Sequence, residues 1–210
     1  LARWGVGTGS VTVEEGFESF CSFVMLSAAA KTRTCVFHRG SKPPLDLNSM
    51  QREALAGSDI LMVDGNELEA AIEGAKLLPI ADLLIPSEEF ALKYTGAKTA
   101  PEAAAKLFEA YSPEAVVITQ GKRGGIVYDG KLTNYPIIET KVVDSNGAGD
   151  VFHGAFALAA AIGWDYRKCA MFASAASSLK CTKVGARSAV PAFAEVINTL
   201  IENGYSEYKI

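Results

Sequence analysis

Short apolar runs alternate along this chain with longer segments rich in alanine and charged residues. Three of the apolar runs, at 59–63, 82–86 and 115–119, carry almost no polar alternation. Such runs are typical of strands that are covered on both faces of a sheet. We therefore predict three buried strands, separated by helices.

The predicted helices begin at polar residues suited to cap them. Ser87 precedes one short helix, and Thr99 with Glu102 three positions later forms a capping-box pattern for the next, which runs to Tyr111. The other segments for which we predict helices are 48–56, a stretch that follows a turn at 64–66 and ends near 78, 148–162, 166–181 and 191–202.

Two segments predict paired strands. Residues 20–38 hold two β-rich runs around a small polar link, which indicates a hairpin or two adjacent strands. Asp129-Gly130, between the runs 125–128 and 131–135, is the strongest hairpin signal in the chain. With the buried strands, the whole pattern predicts a parallel α/β sheet with helices on both faces and a ligand at the carboxyl ends of the strands.

Composition limits the size and the partners of the fold. At 210 residues and 49% hydrophobic, the chain can bury one good core, and we predict a single domain over 1–210. The net charge of −4 and the scattered lysines and arginines give no reason to expect nucleic acid or an anionic membrane as a partner. No apolar run reaches the roughly 18 residues of a membrane span.

The four cysteines and two histidines show no metal-site spacing. Because each cysteine stands among apolar or alanine-rich neighbours, we expect buried thiols in a reducing compartment, which favours the cytoplasm. The chain does not begin with Met, so an organelle stays open as well.

Residues 143–156 carry the main candidate chemistry and read VDSNGAGDVFHGAF. A glycine turn places the carboxylate of Asp150 in the first turn of a long alanine-rich helix. Amides at a helix start lack partners and attract anions. Asp150 can therefore be a base beside a phosphate, or it can simply complement the helix dipole.

Residues 144–154 resemble the C-terminal signature DTxGAGDxFxxG of the PfkB, or ribokinase-like, family of carbohydrate kinases, with Ser145 in place of threonine. Residues 117–125 resemble the family's VTxGxxG segment, and residues 179–191 resemble its closing nucleotide loop. The resemblance runs from about residue 10 to 200 and is strongest after residue 82. Residues 86–90 are similar to the ketohexokinase-like branch.

The resemblance implies a ribokinase-like α/β fold, with a mostly parallel sheet sandwiched by helices and part of a β lid. Residues 20–38 would be lid or edge strands, and residues 59–202 the nucleotide-binding and catalytic part. In this family lid strands often pair between subunits, which makes a homodimer a candidate assembly.

The same resemblance implies an ATP-dependent sugar kinase. Asp150 would take the proton from a sugar hydroxyl as that oxygen attacks the γ-phosphate of ATP. The amides of Gly147, Ala148 and Gly149 would form an anion hole for the transferred phosphate. The implied substrate is a small fructose-like or ribose-like carbohydrate.

Two further segments are implied to bind ATP. Thr119, Gly121 and Gly124 would line the phosphate channel, although a strand followed by glycines is more often a plain turn. Lys180 and Gly185 belong to the segment that resembles the nucleotide loop, where plain packing of alanine-rich helices is the alternative.

The implied metals are Mg²⁺ bound with ATP and, in many members, K⁺. Asp144 and the carbonyl of Asn146 match the positions that hold the monovalent cation. The NxxE motif of many members falls on Ser87 and Phe90 and is not kept. Glu88 or Glu89 could take over the carboxylate role, with Glu89 as the candidate ligand for Mg²⁺, or a glutamate at this helix start complements the helix dipole.

The sequence indicates fewer residues that could select the sugar. Arg39, which follows a strand, and Asn66, in a segment similar to the ketohexokinase-like branch, are the candidate substrate contacts. Arg39 could equally end a strand in solvent. His153, one turn after Asp150, packs against a strand or against the sugar pocket.

Family members are longer than this chain, and their N-terminal sugar-recognising Asp and GG motif are not readable here. A catalytically impaired binding or regulatory protein that keeps the fold is therefore the alternative function. A dinucleotide-dependent oxidoreductase is excluded, because no GxGxxG stands between a first strand and a helix.

Overall fold

The computed structural model describes residues 5–27, 32–58, 60–62 and 83–209. Contacts divide the chain into two compact units, one within 1–24 and 35–81 and the other within 25–34 and 82–210. In the described part of the chain, no helix has the length and apolarity that a bilayer crossing requires.

In the first unit, helix α1 spans Ser49–Ala56 and begins at a complete capping box. The side chain of Asn48 accepts a hydrogen bond from the amide of Gln51, and the side chain of Gln51 accepts one from the amide of Asn48, both at 2.9 Å. Of the strand predicted at 59–63, the described residues 60–62 are in neither helix nor strand. The helix predicted between the turn at 64–66 and residue 78 lies outside the described residues.

The predicted pair of strands at 20–38 is present as β1, Cys21–Ser27, and β2, Thr32–His38, which form a two-stranded sheet. Cys21 and Cys35 are exposed on these strands. The expectation that all cysteines are buried is wrong for these two, because a pair of strands offers too little surrounding structure to bury its side chains.

The second unit holds a mixed sheet in the order β3 (Leu83–Leu84), β4 (Ala115–Thr119), β5 (Gly125–Tyr128) and β6 (Leu132–Tyr135). Strands β3 and β4 are parallel, whereas the β4–β5 and β5–β6 pairs are antiparallel. The connections after β4 and β5 are too short for a crossover, so these strands must reverse direction. The Asp129-Gly130 hairpin is confirmed.

The described part of this unit also holds five α-helices. They are α2 (Glu88–Thr95), α3 (Ala100–Tyr111), α4 (Ala148–Ala161), α5 (Tyr166–Lys180) and α6 (Phe193–Glu202). Ser87 caps α2 as predicted. Thr99 accepts from the amide of Glu102, but the Glu102 carboxylate accepts from the amide of Lys98 at 3.0 Å. The predicted capping box is therefore only half formed.

Strand β4 separates two clusters of buried side chains. Ala115 and Val117 face the cluster built with α4, α5 and α6, while Val116 and Ile118 face the cluster built with α2 and α3. Helices thus cover both faces of the sheet, as the unbroken apolar run of β4 predicts. Cys169 lies in the first cluster, where burial raises the pKa of its thiol to about 12.

Candidate active site

The start of α4 is a glycine turn closed against a second loop. Gly147, the residue before the helix, has a φ of 77°, a left-handed conformation that favours glycine. A Cβ at this position would lie 3.0 Å from the Cβ of Ala186. Among the described residues, no side chain caps the helix. The amide of Ala148 donates to the backbone carbonyl of Ser145 at 3.2 Å. A helix start without a side-chain cap remains a place that attracts anions.

Asp150 lies in the first turn of α4 and is exposed. Together with Gly147 it lines a cavity of about 420 Å³, a size typical of small-molecule sites. Apolar residues of α4, α5, α6 and the loop before α6 form most of the wall, including Leu158, Phe172 and Val190. The cavity thus joins a carboxylate and a helix start to an apolar slot.

The loop before α4 and the loop after α5 are joined through Asp144, which is 4% exposed. Its Oδ1 accepts from the amide of Asn146 at 2.8 Å, and its Oδ2 accepts from the amide of Gly185 at 2.9 Å. The amides of Val143 and Asp144 both donate to the carbonyl of Cys181. These bonds fix the loop before α4 against the loop after α5.

Lys180 completes this connection. Its side chain is fully buried, and Nζ donates to the backbone carbonyl of Asp144 at 2.7 Å. The sequence resemblance assigns Lys180 to ATP binding, but the described contacts of its ammonium are with Asp144. Sequence reasoning missed this pairing, because the two residues are 36 positions apart and lysines are seldom buried.

The turn after β4 holds the second group of predicted ATP-binding residues. The amide of Thr119 donates to the carbonyl of Pro86 at 3.1 Å, and the amide of Gln120 donates to the carbonyl of Gly124 at 2.8 Å. Gly124 has a φ of 80°, and a Cβ there would overlap the carbonyl oxygen of Tyr135. Glycine is therefore required at Gly124 whether or not the turn meets a phosphate.

The two glutamates at the start of α2 have different surroundings. Glu88 accepts from Gln120 at 2.7 Å and pairs with Arg123, so it braces the turn after β4. Glu89 is exposed. Among the described residues, no cluster of three or more His, Cys, Asp or Glu side chains could hold a metal ion.

His153 links the helix of Asp150 to the end of strand β3. Its Nδ1 lies 2.7 Å from the carbonyl oxygen of Gly149, and its Nε2 lies 2.9 Å from that of Ile85. Carbonyl oxygens only accept, so both contacts are hydrogen bonds at once only in the imidazolium form. Of the two interpretations of His153, the structure supports packing against a strand.

Replacing His153 by alanine is expected to lower the free energy of unfolding by about 1–3 kcal/mol, since at least one hydrogen bond of the imidazole ring and its contact with the end of β3 are lost. His38, the other histidine, contacts the exposed Glu18 at 3.1 Å. His38→Ala is therefore a matched control, with an expected change below about 0.5 kcal/mol. Urea unfolding measures the loss of stability in both variants. Equal losses would contradict the role of His153 as a link between α4 and β3.

The structure thus brings the predicted residues of the second unit into two connected groups. Asp150 and Gly147 share the cavity, while Asp144, Lys180 and Gly185 form the joint behind it. The bonds of Thr119 to Pro86 and of His153 to Ile85 connect the turn after β4 to α4. Arg39 is an exposed residue of the first unit, and Asn66 lies outside the described residues.

The chain is similar to known proteins over part of its length. Ribokinase of Haemophilus influenzae is 31% identical over 140 residues, which are 64% of this chain and 46% of that protein. The chain spans less than half the length of each curated relative compared with it.

Solved structures show the same fold. The crystal structure of ribokinase from Thermotoga maritima matches with a TM-score of 0.77 and 25% identity, covering 88% of this chain and 70% of that one. Fructokinase with bound ATP from Xylella fastidiosa matches with a TM-score of 0.76 and 21% identity, covering 96% of this chain and 79% of that one.

The family model described as pfkB family carbohydrate kinase matches residues 61–192. This range holds the turn after β4, the glycine turn with Asp150 and the loop that carries Gly185. It covers well over half of the sequence. The chain therefore belongs to the pfkB family of carbohydrate kinases.

Proposed function

We propose that this chain carries the ATP-binding and catalytic part of a kinase that phosphorylates a hydroxyl of a small carbohydrate. The observation that carries the proposal is the placement of Asp150, exposed in an uncapped helix start beside a cavity with mainly apolar walls. Relatives described as ribokinase, and a structural neighbour described as fructokinase with bound ATP, support this class of reaction.

In this mechanism Asp150 accepts the proton of the attacking sugar hydroxyl. We propose that the amides of Gly147, Ala148 and Gly149 meet the charge that grows on the transferred phosphoryl group, with the Ala148 amide shared with the carbonyl of Ser145. The apolar walls of the cavity suit the flat base of ATP. Positioning and electrostatics supply most of the rate enhancement in phosphoryl transfer.

On the phosphate side, we propose that Thr119, Gly121 and Gly124 form a wall of the ATP channel. They end strand β4, and the bonds through Pro86, Ile85 and His153 tie this end of the sheet to α4. Gly185 contributes through its bond to Asp144, which sets the loop beside the cavity.

The metal that fits this arrangement is Mg²⁺ carried by the ATP phosphates, where it neutralises their charge. The exposed Glu89 is the protein carboxylate that we propose for it. A monovalent cation at Asp144 does not fit. The carbonyl of Asp144 already accepts from the Lys180 ammonium, and both carboxylate oxygens accept from amides.

The test is a coupled assay of ADP release by the full-length protein with MgATP, over ketoses, aldoses, sugar phosphates and nucleosides. Turnover is expected with at least one of them, with fructose-like and ribose-like sugars first. Absence of turnover with every acceptor would contradict the kinase function.

A binding or regulatory protein is the second candidate function, and one observation favours it. At the two positions of the missing NxxE motif, Ser87 serves as a helix cap and Phe90 is exposed. Saturable ATP binding without ADP release in the same screen would identify this alternative.

For the remaining partners, Arg39 and Asn66 stay proposals as sugar contacts. A homodimer through β1 and β2 is proposed as well, because these strands expose Phe23, Met25 and Phe37. Exposed large apolar side chains on neighbouring strands are typical of a surface that another chain covers.

A further inference from the structure

A fully buried ammonium lies beside the signature loop. The Nζ of Lys180 donates to the carbonyl of Asp144 at 2.7 Å and lies 4.0 Å from Oδ2 of the same residue. Lys180 is 0% exposed and Asp144 is 4% exposed. A buried charge of this kind persists only where carbonyl and carboxylate oxygens compensate for lost water.

The oxygens around this ammonium lie where the loop before α4 contacts the loop after α5. The Asp144 carboxylate holds the amides of Asn146 and Gly185, and the carbonyl of Cys181 holds the amides of Val143 and Asp144. One positive and one negative charge therefore lie at the centre of the contact that sets the loop before Asp150 against the loop beside the cavity.

A monovalent cation at Asp144 would need the same oxygens. It would also bring a second unit charge close to the Lys180 ammonium, where both Lys180 and Asp144 are buried and the repulsion is only weakly screened. The Lys180 ammonium and a bound K⁺ therefore exclude each other at Asp144.

We propose that Lys180 is a built-in cation that replaces K⁺ in this protein. As a positioning residue, it fixes the two loops and makes the reaction independent of monovalent ions. This inference rests on the proposed kinase function for its kinetic readout only, because the effect of ions on folding stability can be measured without any substrate.

The first test is an ion titration of the full-length protein. We expect kcat/KM for ATP to change by less than about twofold between buffers of tetramethylammonium and of K⁺, since ground-state and transition-state binding are both unaffected. The melting temperature should also be equal in the two buffers. Activation or stabilisation of the wild type by K⁺ beyond that of tetramethylammonium would overturn the proposal.

The second test removes the charge. Lys180→Ala leaves the Asp144 carboxylate without its cation and is expected to lower kcat/KM on the order of 100-fold. Because the shortened side chain opens space, K⁺ or NH₄⁺ should restore part of this loss and raise the melting temperature. Lys106→Ala, on the exposed side of α3, is the control and should respond to neither ion.

The outcomes separate the two proposals. Failure of Lys180→Ala to recover with either ion would show that Lys180 contributes packing alone and would overturn the inference, with the kinase function intact. If Lys180→Ala does not fold, the ion titration of the wild type decides. Absence of turnover with every sugar contradicts the kinase function, and the melting temperatures then still test Lys180.

Discussion

Asp150→Asn is expected to lower kcat by about 10²- to 10⁴-fold, the usual contribution of a general base. The substitution removes one negative charge and keeps the shape of the side chain. Asp150 is exposed, and the lost interaction of its charge with the helix dipole is worth only about 0.3–1 kcal/mol, so the fold should be little affected. ATP affinity should stay within a few-fold, because the amides of the glycine turn are unchanged. Steady-state kinetics and ATP titration of the full-length protein measure both quantities.

Asp165→Asn is the matched control for this change. Asp165 caps α5 by accepting from the amides of Arg167 and Lys168, and asparagine caps a helix about as well. The control should keep wild-type kcat. If Asp150→Asn also keeps wild-type kcat, Asp150 is a helix-dipole residue and not the base.

Gly124→Ala is expected to lower the free energy of unfolding by about 2–5 kcal/mol, through a strained backbone together with a clash in a packed turn. The φ of 80° disfavours any side chain, and the added Cβ would overlap the carbonyl oxygen of Tyr135. Tyr135 cannot move aside easily, because its ring is buried and stacks on Phe152 of α4 with centroids 5.8 Å apart. Urea unfolding measures the loss.

Gly121→Ala separates the clash from the backbone strain. Gly121 has a φ of 58° but no atom lies within 4 Å of an added Cβ, so a loss of about 1–2 kcal/mol is expected. If Gly121 lines the ATP channel, this variant should raise the KM for ATP more than its modest instability explains. Equal losses of stability in the two variants would contradict the packing assigned to Gly124.

The residues of β4 show what could be predicted from the sequence. Ala115 to Ile118 are all apolar and buried, so the run itself indicates a strand between two layers of helices. Asp129-Gly130 and Ser87 act through local backbone geometry, which a few neighbouring residues determine. The helix start at Asp150 was predictable for the same reason.

The joint at Asp144 could not be predicted in this way. Its partner Gly185 is 41 positions away and Lys180 is 36 positions away, so no local pattern records their approach. The exposure of Cys21 and Cys35 was missed for a related reason. Apolar neighbours along the chain indicate a strand, but they do not show whether another layer covers it.

The two bonds of the Asp144 carboxylate have a mechanical consequence. One oxygen holds Asn146, just before the glycine turn, and the other holds Gly185, just before Ala186 in the cavity wall. A displacement of one loop must therefore pull on the other through a single rigid group. The nucleotide side and the base side of the site should open and close as one body, so that a ligand seated in the cavity also steadies the backbone that carries Asp150.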